Sequence, residues 1–148
     1  MADYDLSARI SGGLAPSAHG GPALESQIVV LDAKTLLKEK GITIAATDNV
    51  TLYRVPLGSI YMGSAWQIVR PNVGAATFNL GYTGALTAVA TAQAASAAAW
   101  MSDVVPAFAA TALEFILTTA VADLDELVLA GHILLAPAPP YNPATFAQ

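Results

Sequence analysis

Apolar and polar residues alternate with a period of two through the middle of the chain, most clearly between Val50 and Gly81. That spacing predicts a strand over Val50–Val55, a Pro56–Gly58 corner, a long strand over Ser59–Arg70, a turn at Pro71–Gly74 and a strand over Ala75–Gly81. On the long strand the pattern sets Ile60, Met62, Trp66 and Ile68 against Ser59, Tyr61, Gly63 and Gln67. On the following strand Ala76, Phe78 and Leu80 share one face and Thr77 and Asn79 the other. The β-branched and aromatic content favours the same reading. If the two strands form a hairpin, the apolar faces match with Trp66 beside Leu80 and Ile68 beside Phe78, leaving Pro71–Ala75 as the loop. A register slip of one residue would turn every side chain over.

The alternation returns at Thr111–Val121 and Glu126–Leu135. Leu113, Phe115, Leu117 and Val121 oppose Glu114, Thr118 and Ala120, while Leu127, Leu129, Ile133 and Leu135 oppose Glu126, Val128 and His132. A hairpin turning at Asp123–Asp125 would set Val121 beside Leu127 and Phe115 beside Ile133. It would also place His132 opposite Ile116 and diagonal to Glu114. Upstream, Gln27–Leu31 reads as a short strand, and Asp32 stands as N-cap of a helix over Ala33–Lys40 that Gly41 stops. Leu36 and Leu37 are expected to face the body of the protein, and Ile42–Ala46 adds a brief extended piece.

The remaining segments carry weaker patterns. Residues 1–26, with Gly12-Gly13, Gly20-Gly21 and two prolines, have little to bury and read as an N-terminal arm. Tyr82–Gly84 is a turn. Residues 84–101 form an Ala-rich insert in which propensity favours a helix over Thr87–Met101, with a small-residue loop as the rival. Trp100 and Met101 close it as a bulky pair, with Trp100 read first as a core residue and next as an interface anchor. Residues 136–148 hold Pro137, Pro139, Pro140 and Pro143, cannot continue a sheet, and read as an extended arm. Tyr141 and Phe146 on that arm are candidates to plug into a partner. Short strands, turn signals, one small helix and no βαβ rhythm argue for a mainly β domain over residues 27–135, an antiparallel β-sandwich of jelly-roll type.

Composition changes the picture at one point. The 148 residues suffice for one domain with a real core. Only 11% are charged and 55% are hydrophobic, against roughly 25% charged in an ordinary soluble domain. A surface so poor in charge is expected to lie against other subunits or a membrane. No stretch reaches the roughly 20 strongly apolar residues of a spanning helix: Gly84–Met101 is mostly Ala interrupted by Thr, Gln93 and Ser96, and Val104–Ala122 contains Pro106 and Glu114. Asp3 and Asp5 precede any apolar run, so no signal peptide is expected. The net charge of −5, with basic residues clustered only at Lys34, Lys38 and Lys40, argues against direct nucleic-acid contact. The absence of cysteine excludes disulfides and thiolate metal sites.

No constellation points to chemistry. His19 and His132 have no metal-ligand spacing, and a cupin-type enzyme would need several histidines and a carboxylate on facing strands. The diagonal Glu114–His132 pair reads as an exposed ion pair before it reads as an acid–base pair. Asp123, Asp125 and Glu126 make an acidic turn that lacks the ligand set of an EF-hand. Asn49-Val50-Thr51 is formally a glycosylation sequon. Neither a phosphate-cradling Gly-rich loop nor a nucleophile elbow occurs.

The order of features has a counterpart. A strand leads to Leu31-Asp32-Ala33-Lys34-Thr35-Leu36-Leu37, then to Asn49-Val50-Thr51-Leu52-Tyr53-Arg54-Val55-Pro56-Leu57-Gly58-Ser59. A long strand, Gly74-Ala75-Ala76-Thr77-Phe78-Asn79-Leu80-Gly81-Tyr82 and a terminal hairpin follow. This resembles the small virion structural proteins of tailed bacteriophages, of the head decoration or cement type, over about Gln27 to Leu135. The resemblance implies a β-sandwich without enzymatic activity or cofactor that binds the major capsid protein of the assembled head and stabilises it. It also implies a homotrimer or homodimer, made in the host cytoplasm and resident on the capsid surface, with no nucleic-acid or membrane partner. The Ala-rich insert and Pro-rich tail depart from the pattern. A second reading is a receptor- or glycan-binding module of a virion fibre or tail, which would need exposed aromatics; Tyr53, Tyr61 and Tyr82 are its candidates. Trp100, Met101, Tyr141, Phe146, Tyr53 and Tyr61 are the interface candidates overall.

Overall fold

A computed structural model describes residues 1–7, 25–104, 107–109 and 113–136. The described strands are β1 (Asp3–Asp5), β2 (Glu25–Asp32), β3 (Asn49–Val55), β4 (Ile60–Arg70), β5 (Thr77–Tyr82), β6 (Ala85–Ala94), β7 (Trp100–Asp103), β8 (Ala107–Phe108), β9 (Leu113–Ala120) and β10 (Val128–Ala136). One helix, α1 (Ala33–Lys40), follows β2. Two sheets form. Sheet A has the order β1-β3-β9-β5-β6, and sheet B has the order β2-β10-β4-β7 with β8 also paired to β4. The expected mainly β sandwich is what the chain folds into.

The helix is the most local feature and follows the sequence closely. The Asp32 carboxylate accepts from the Thr35 amide at 3.1 Å, satisfying a donor that the first turn leaves orphaned. Gly41 ends the helix in the left-handed region (φ 66°), its amide donating to Leu37 O at 3.0 Å. Leu36 is buried, but Leu37 is 47% exposed, so one leucine faces the body rather than two. The expected extended piece after it is a single bridge, Ile44 with Leu124.

Both expected hairpins fail, and for the same reason. β4 pairs with β10, β7 and β8, while β5 pairs with β6 and β9. Trp66 and Leu80 therefore belong to opposite sheets and enter the core from opposite sides. Likewise β9 pairs with β3 and β5, and β10 with β2 and β4, so no β9–β10 hairpin exists. The connections cross from one sheet to the other. Asn72 holds two of them together. Its side-chain amide donates to Gly74 O and Asp123 O, both at 3.1 Å, and its carbonyl accepts from the amides of Asp125 (2.8 Å) and Glu126 (3.1 Å). A buried amide with every polar position filled stabilises the crossing instead of costing it.

The faces of β4 also depart from simple alternation. Trp66 and Ile68 point inward as expected, but Tyr61 is fully buried while Ile60 and Met62 lie on the outside. The register against β10 slips between Leu134 and Leu135, where the extra residue Met62 turns the strand over. Gly63 makes the bulge possible, at φ +132°, with the Asp103 carbonyl where a side chain would be; a Cβ there would lie 2.8 Å from that oxygen. Val121 likewise leaves its expected inward face: it is 75% exposed, at φ 74°, just past the end of β9.

The Ala-rich insert is neither helix nor loop. It makes β6, which closes a true hairpin with β5 through Thr83-Gly84, then a turn, then β7. The helix preference of Ala is intrinsic but weak, and tertiary pairing overrides it. Here pairing along β5 satisfies the backbone instead.

The core is assembled from both inner faces. Phe115 lies with ring centroids 5.2 Å from Tyr61, 5.8 Å from Trp66 and 5.8 Å from Tyr82, mostly edge to face. Gly131 on β10 is paired with Trp66 on β4, and the indole fills the place of the missing side chain. At the edge of sheet A, β1 runs parallel to β3, and the Asp48 carboxylate accepts from the Ala2 amide (2.7 Å) and the Ala45 amide (2.8 Å). The rest of the expected N-terminal arm and the Pro-rich tail beyond Ala136 lie outside the described residues, including Tyr141 and Phe146.

Candidate interaction face

The titratable groups are occupied in holding the fold. The Tyr61 hydroxyl donates to Asp103 Oδ2 at 3.0 Å and lies 2.8 Å from Ser64 Oγ, which also accepts from the Trp66 indole at 2.9 Å. Burial, reinforced by the Asp103 carboxylate, pushes the Tyr61 hydroxyl far above its ordinary ionisation range. Burial and then Asp103 act on Tyr82 in the same direction. This cluster is a hydrogen-bonded core element, with its donors kept protonated. In the acidic turn, Asp123 accepts from the Ala46 amide at 3.0 Å, Asp125 from the Val73 amide at 3.3 Å, and Glu126 pairs with Lys34 at 3.1 Å. Among the described residues no group of three or more His, Cys, Asp or Glu side chains converges on a metal position. The Glu114–His132 diagonal does not form. Glu114 is in sheet A beside Arg54 at 3.3 Å, whereas the His132 ring in sheet B lies 3.2 Å from Ser26 Oγ.

What remains is a surface. Side chains on the outer face of sheet B run in rows fixed by the strand register. One row is Val30, Ala130, Gln67 and Trp100, and the next is Ile28, His132, Ala65 and Ser102. Leu134 and Met62 extend the patch along β10 and β4. Among the described residues these two rows hold no Asp, Glu, Lys or Arg side chain, and the adjacent row, Asp32, Val128 and Arg70, holds two. They pair with each other at 3.1 Å and close one end. At the cap, burial pushes the Asp32 carboxyl up, but the Thr35 amide and the Arg70 guanidinium outweigh it and hold the group below its ordinary range.

The interface candidates divide accordingly. Trp100 is 72% exposed and sits on this face, not in the core that was its first reading. Its neighbour Met101 points inward, as alternation requires, and is buried with Tyr53 and Tyr61. The glycan-binding reading loses its platform: Tyr53 and Tyr61 belong to the core, and Tyr82 packs against it. Sequence reasoning missed the other members of the patch. Their outward direction was visible in the alternation of β2 and β10, but not that these strands lie side by side.

This sandwich is shared with chains of two phage capsids. One is a chain of the capsid asymmetric unit of cyanophage Pam1, at TM-score 0.56 and 18% identity, covering 84% of this chain and 92% of that one. The other belongs to the capsid of Ralstonia phage GP4, at TM-score 0.56 and 12% identity, covering 92% of this chain and 97% of that one. At such identities the likeness is one of fold, and at that level the expected resemblance to phage virion structural proteins is borne out. No protein-family model matches the sequence, and no curated protein matches it. Within the described residues no helix is long and apolar enough to cross a membrane.

Proposed function

We propose that this protein is a capsid decoration, or cement, protein of a tailed phage. It binds the assembled head through the major capsid protein, as a homo-oligomer, and reinforces the shell by contact instead of catalysis. The observation that supports this reading most is the nearly end-to-end fold likeness to chains that reside in two phage capsids. A scarcity of charge on one whole face of the sandwich fits a subunit whose outside is covered by neighbours. Many modest contacts made together on a lattice give firm attachment without any single strong one. In this reading the sandwich, which takes in β1 and runs from β2 to Ala136, is the docked body, and the segments at 8–24 and 137–148 lash it to its surroundings. The protein is made in the host cytoplasm and ends on the outer surface of the virion, with no nucleic-acid or membrane partner.

The test uses heads assembled without this protein. Adding the purified full chain should give saturable binding at a fixed ratio to coat subunits and raise the temperature at which the heads rupture. Binding to unassembled coat protein with equal avidity, or none to heads, would sink the proposal.

A further inference from the structure

We infer that the outer face of sheet B is where a second copy of this chain docks, sheet face on sheet face about a two-fold axis. The inference deepens the reading above by naming the self-contact, and it is measured with no capsid present. Charge carries the argument. The chain bears a net −5. Asp3, Asp5 and Glu114 outnumber Arg54 on or beside the outer face of sheet A, and Asp123, Asp125 and Glu126 outnumber Lys34 at one end of the sandwich, so both regions stay net negative. Two copies approaching through those regions bring like charges together. On sheet B, among the described residues, the rows from Ile28 and Val30 to Trp100 carry no Asp, Glu, Lys or Arg side chain, so the patch can meet its own image without carboxylate or ammonium repulsion. An isologous contact demands that self-compatibility. A partner chosen by charge would instead require charged side chains here.

The geometry suits the same occupant. Met62, Leu134, Ile28 and Val30 are each about two-fifths exposed, forming a low apolar pleat with Trp100 standing above it at one edge. Two such pleats pack about 10 Å apart, as the two sheets do inside the sandwich. His132 sits near the middle, its ring nitrogen 3.2 Å from Ser26 Oγ. From strand spacing and rise the flat footprint is on the order of 500 Å², below the roughly 800 Å² per partner of a standard interface. The pairing is therefore weak in dilute solution and becomes firm where a lattice holds copies close together.

Sedimentation of the full chain over a wide concentration range tests this. The wild type should pass from monomer to dimer as concentration rises. Ile28→Glu and Trp100→Glu should each raise the dimer dissociation constant by about a hundredfold, since each buries an unpaired charge twice in a two-fold seam. Leu86→Glu, an exposed position on β6, should leave it unchanged, and equal melting curves for the variants exclude misfolding. A wild type that stays monomeric at the highest concentration overturns the inference. So does self-association that survives both substitutions on sheet B, or a trimer. If dimerisation appears only after residues 137–148 are removed, the tail and not a second copy is the resident occupant, and the inference fails. Head binding by the proposed decoration protein is scored separately, so either result can fail alone.

Discussion

The two outer faces of this sandwich are built on similar twisted sheets and solve opposite problems. On sheet A, Asn49 donates to Asp3 at 2.9 Å and accepts from Thr118 at 2.9 Å, and Arg54 reaches both Asp5 and Glu114. Asn79 accepts from the Ala92 amide at 2.7 Å. Each of these polar groups has a partner within the chain, so this part of the face is finished as it stands. On sheet B the corresponding positions are Ile28, Val30, Leu134 and Trp100, which have no such partners to find and are left half-uncovered. A composition that is poor in charge is thus not spread evenly. The shortage covers the outer rows of sheet B and also β5 and β6 of sheet A, which hold no Asp, Glu, Lys or Arg, while the charges of sheet A gather on β1, β3 and β9.

The heaviest blows to either face come from behind it, at glycines. A Cβ on Gly131 would lie 2.3 Å from the Trp66 ring, and one on Gly81 would lie 2.2 Å from the Ala85 carbonyl. Gly131→Val should expel Trp66 from sheet B, and Gly81→Val should pry β6 from β5 in sheet A. Each should cost at least about 3 kcal/mol, a fall in melting temperature of roughly 6–12 °C for a domain of this size. A thermal melt of each variant reads this directly. The Gly131 variant should also lose self-association, because the backbone under the seam moves with the indole. A Gly131→Val protein with an unshifted melt would mean that Trp66 is not held where the structure has it.

These glycines mark what the sequence could and could not reveal. Alternation identified β3, β4, β5, β9 and β10, though not β1, β6, β7 or β8, and most inward faces from Leu127 to Leu135 and from Ala76 to Leu80, because burial of one side leaves a period of two whatever the partner. Partner choice was illegible for the same reason. Two neighbouring strands with matched apolar faces bury them equally well side by side or face to face across a core, so the loops at Pro71–Ala75 and Asp123–Asp125 read as hairpins when they are crossings. The turnover at Gly63 escaped notice because one extra residue inverts a strand without changing composition. Trp100 was misjudged because its row is set by pairing between β7 and β4. The resemblance to phage head proteins survived these errors because it rested on the order of elements and not on their pairing.

A smaller effect separates the edges of the two sheets. Asp48 is buried, and its carboxylate accepts from the Ala2 amide, which fastens β1 to sheet A, and from the Ala45 amide of its own turn. Asp48→Ala should orphan both, costing about 2–3 kcal/mol. It should also release the strand that carries Asp3 and Asp5. Amide exchange should then quicken at Asn49 and Leu6, whose N–H groups bond to Ala2 O and Thr51 O. If exchange there is unchanged, β1 is held by something other than this clasp, and the polar face is less dependent on it than argued.

At the closed end of the sheet B face, Asp32 provides a pH handle. Its folded carboxyl ionises below the ordinary range, so the stability it contributes is present above the unfolded value and is lost as pH falls through the folded one. Asp32→Asn should cost less than Asp32→Ala, which should cost about 1 kcal/mol through the lost cap. The gap between wild type and Asp32→Ala in urea melts should close in strong acid. A gap that persists once the carboxyl is protonated would place the effect in packing, not charge.

The smallest effect tests the contrast between the faces most directly. More than half of the Arg54 side chain is in water, and its partners Asp5 and Glu114 are partly exposed. Removing it as Arg54→Ala should therefore lower stability by no more than about 0.5 kcal/mol at low salt, and by nothing measurable once added salt screens the pairs. Sheet B should respond in reverse. Val30→Lys adds a charge instead of deleting one and should leave the monomer's stability within about 0.5 kcal/mol, since an exposed lysine keeps its ammonium in water. What it should change is the concentration dependence of sedimentation. A finished face tolerates loss of a charge, while an unfinished face is altered by gaining one only when a partner arrives. If Val30→Lys and Arg54→Ala prove equally silent in both measurements, sheet B is as complete as sheet A, and its apolar rows need another explanation.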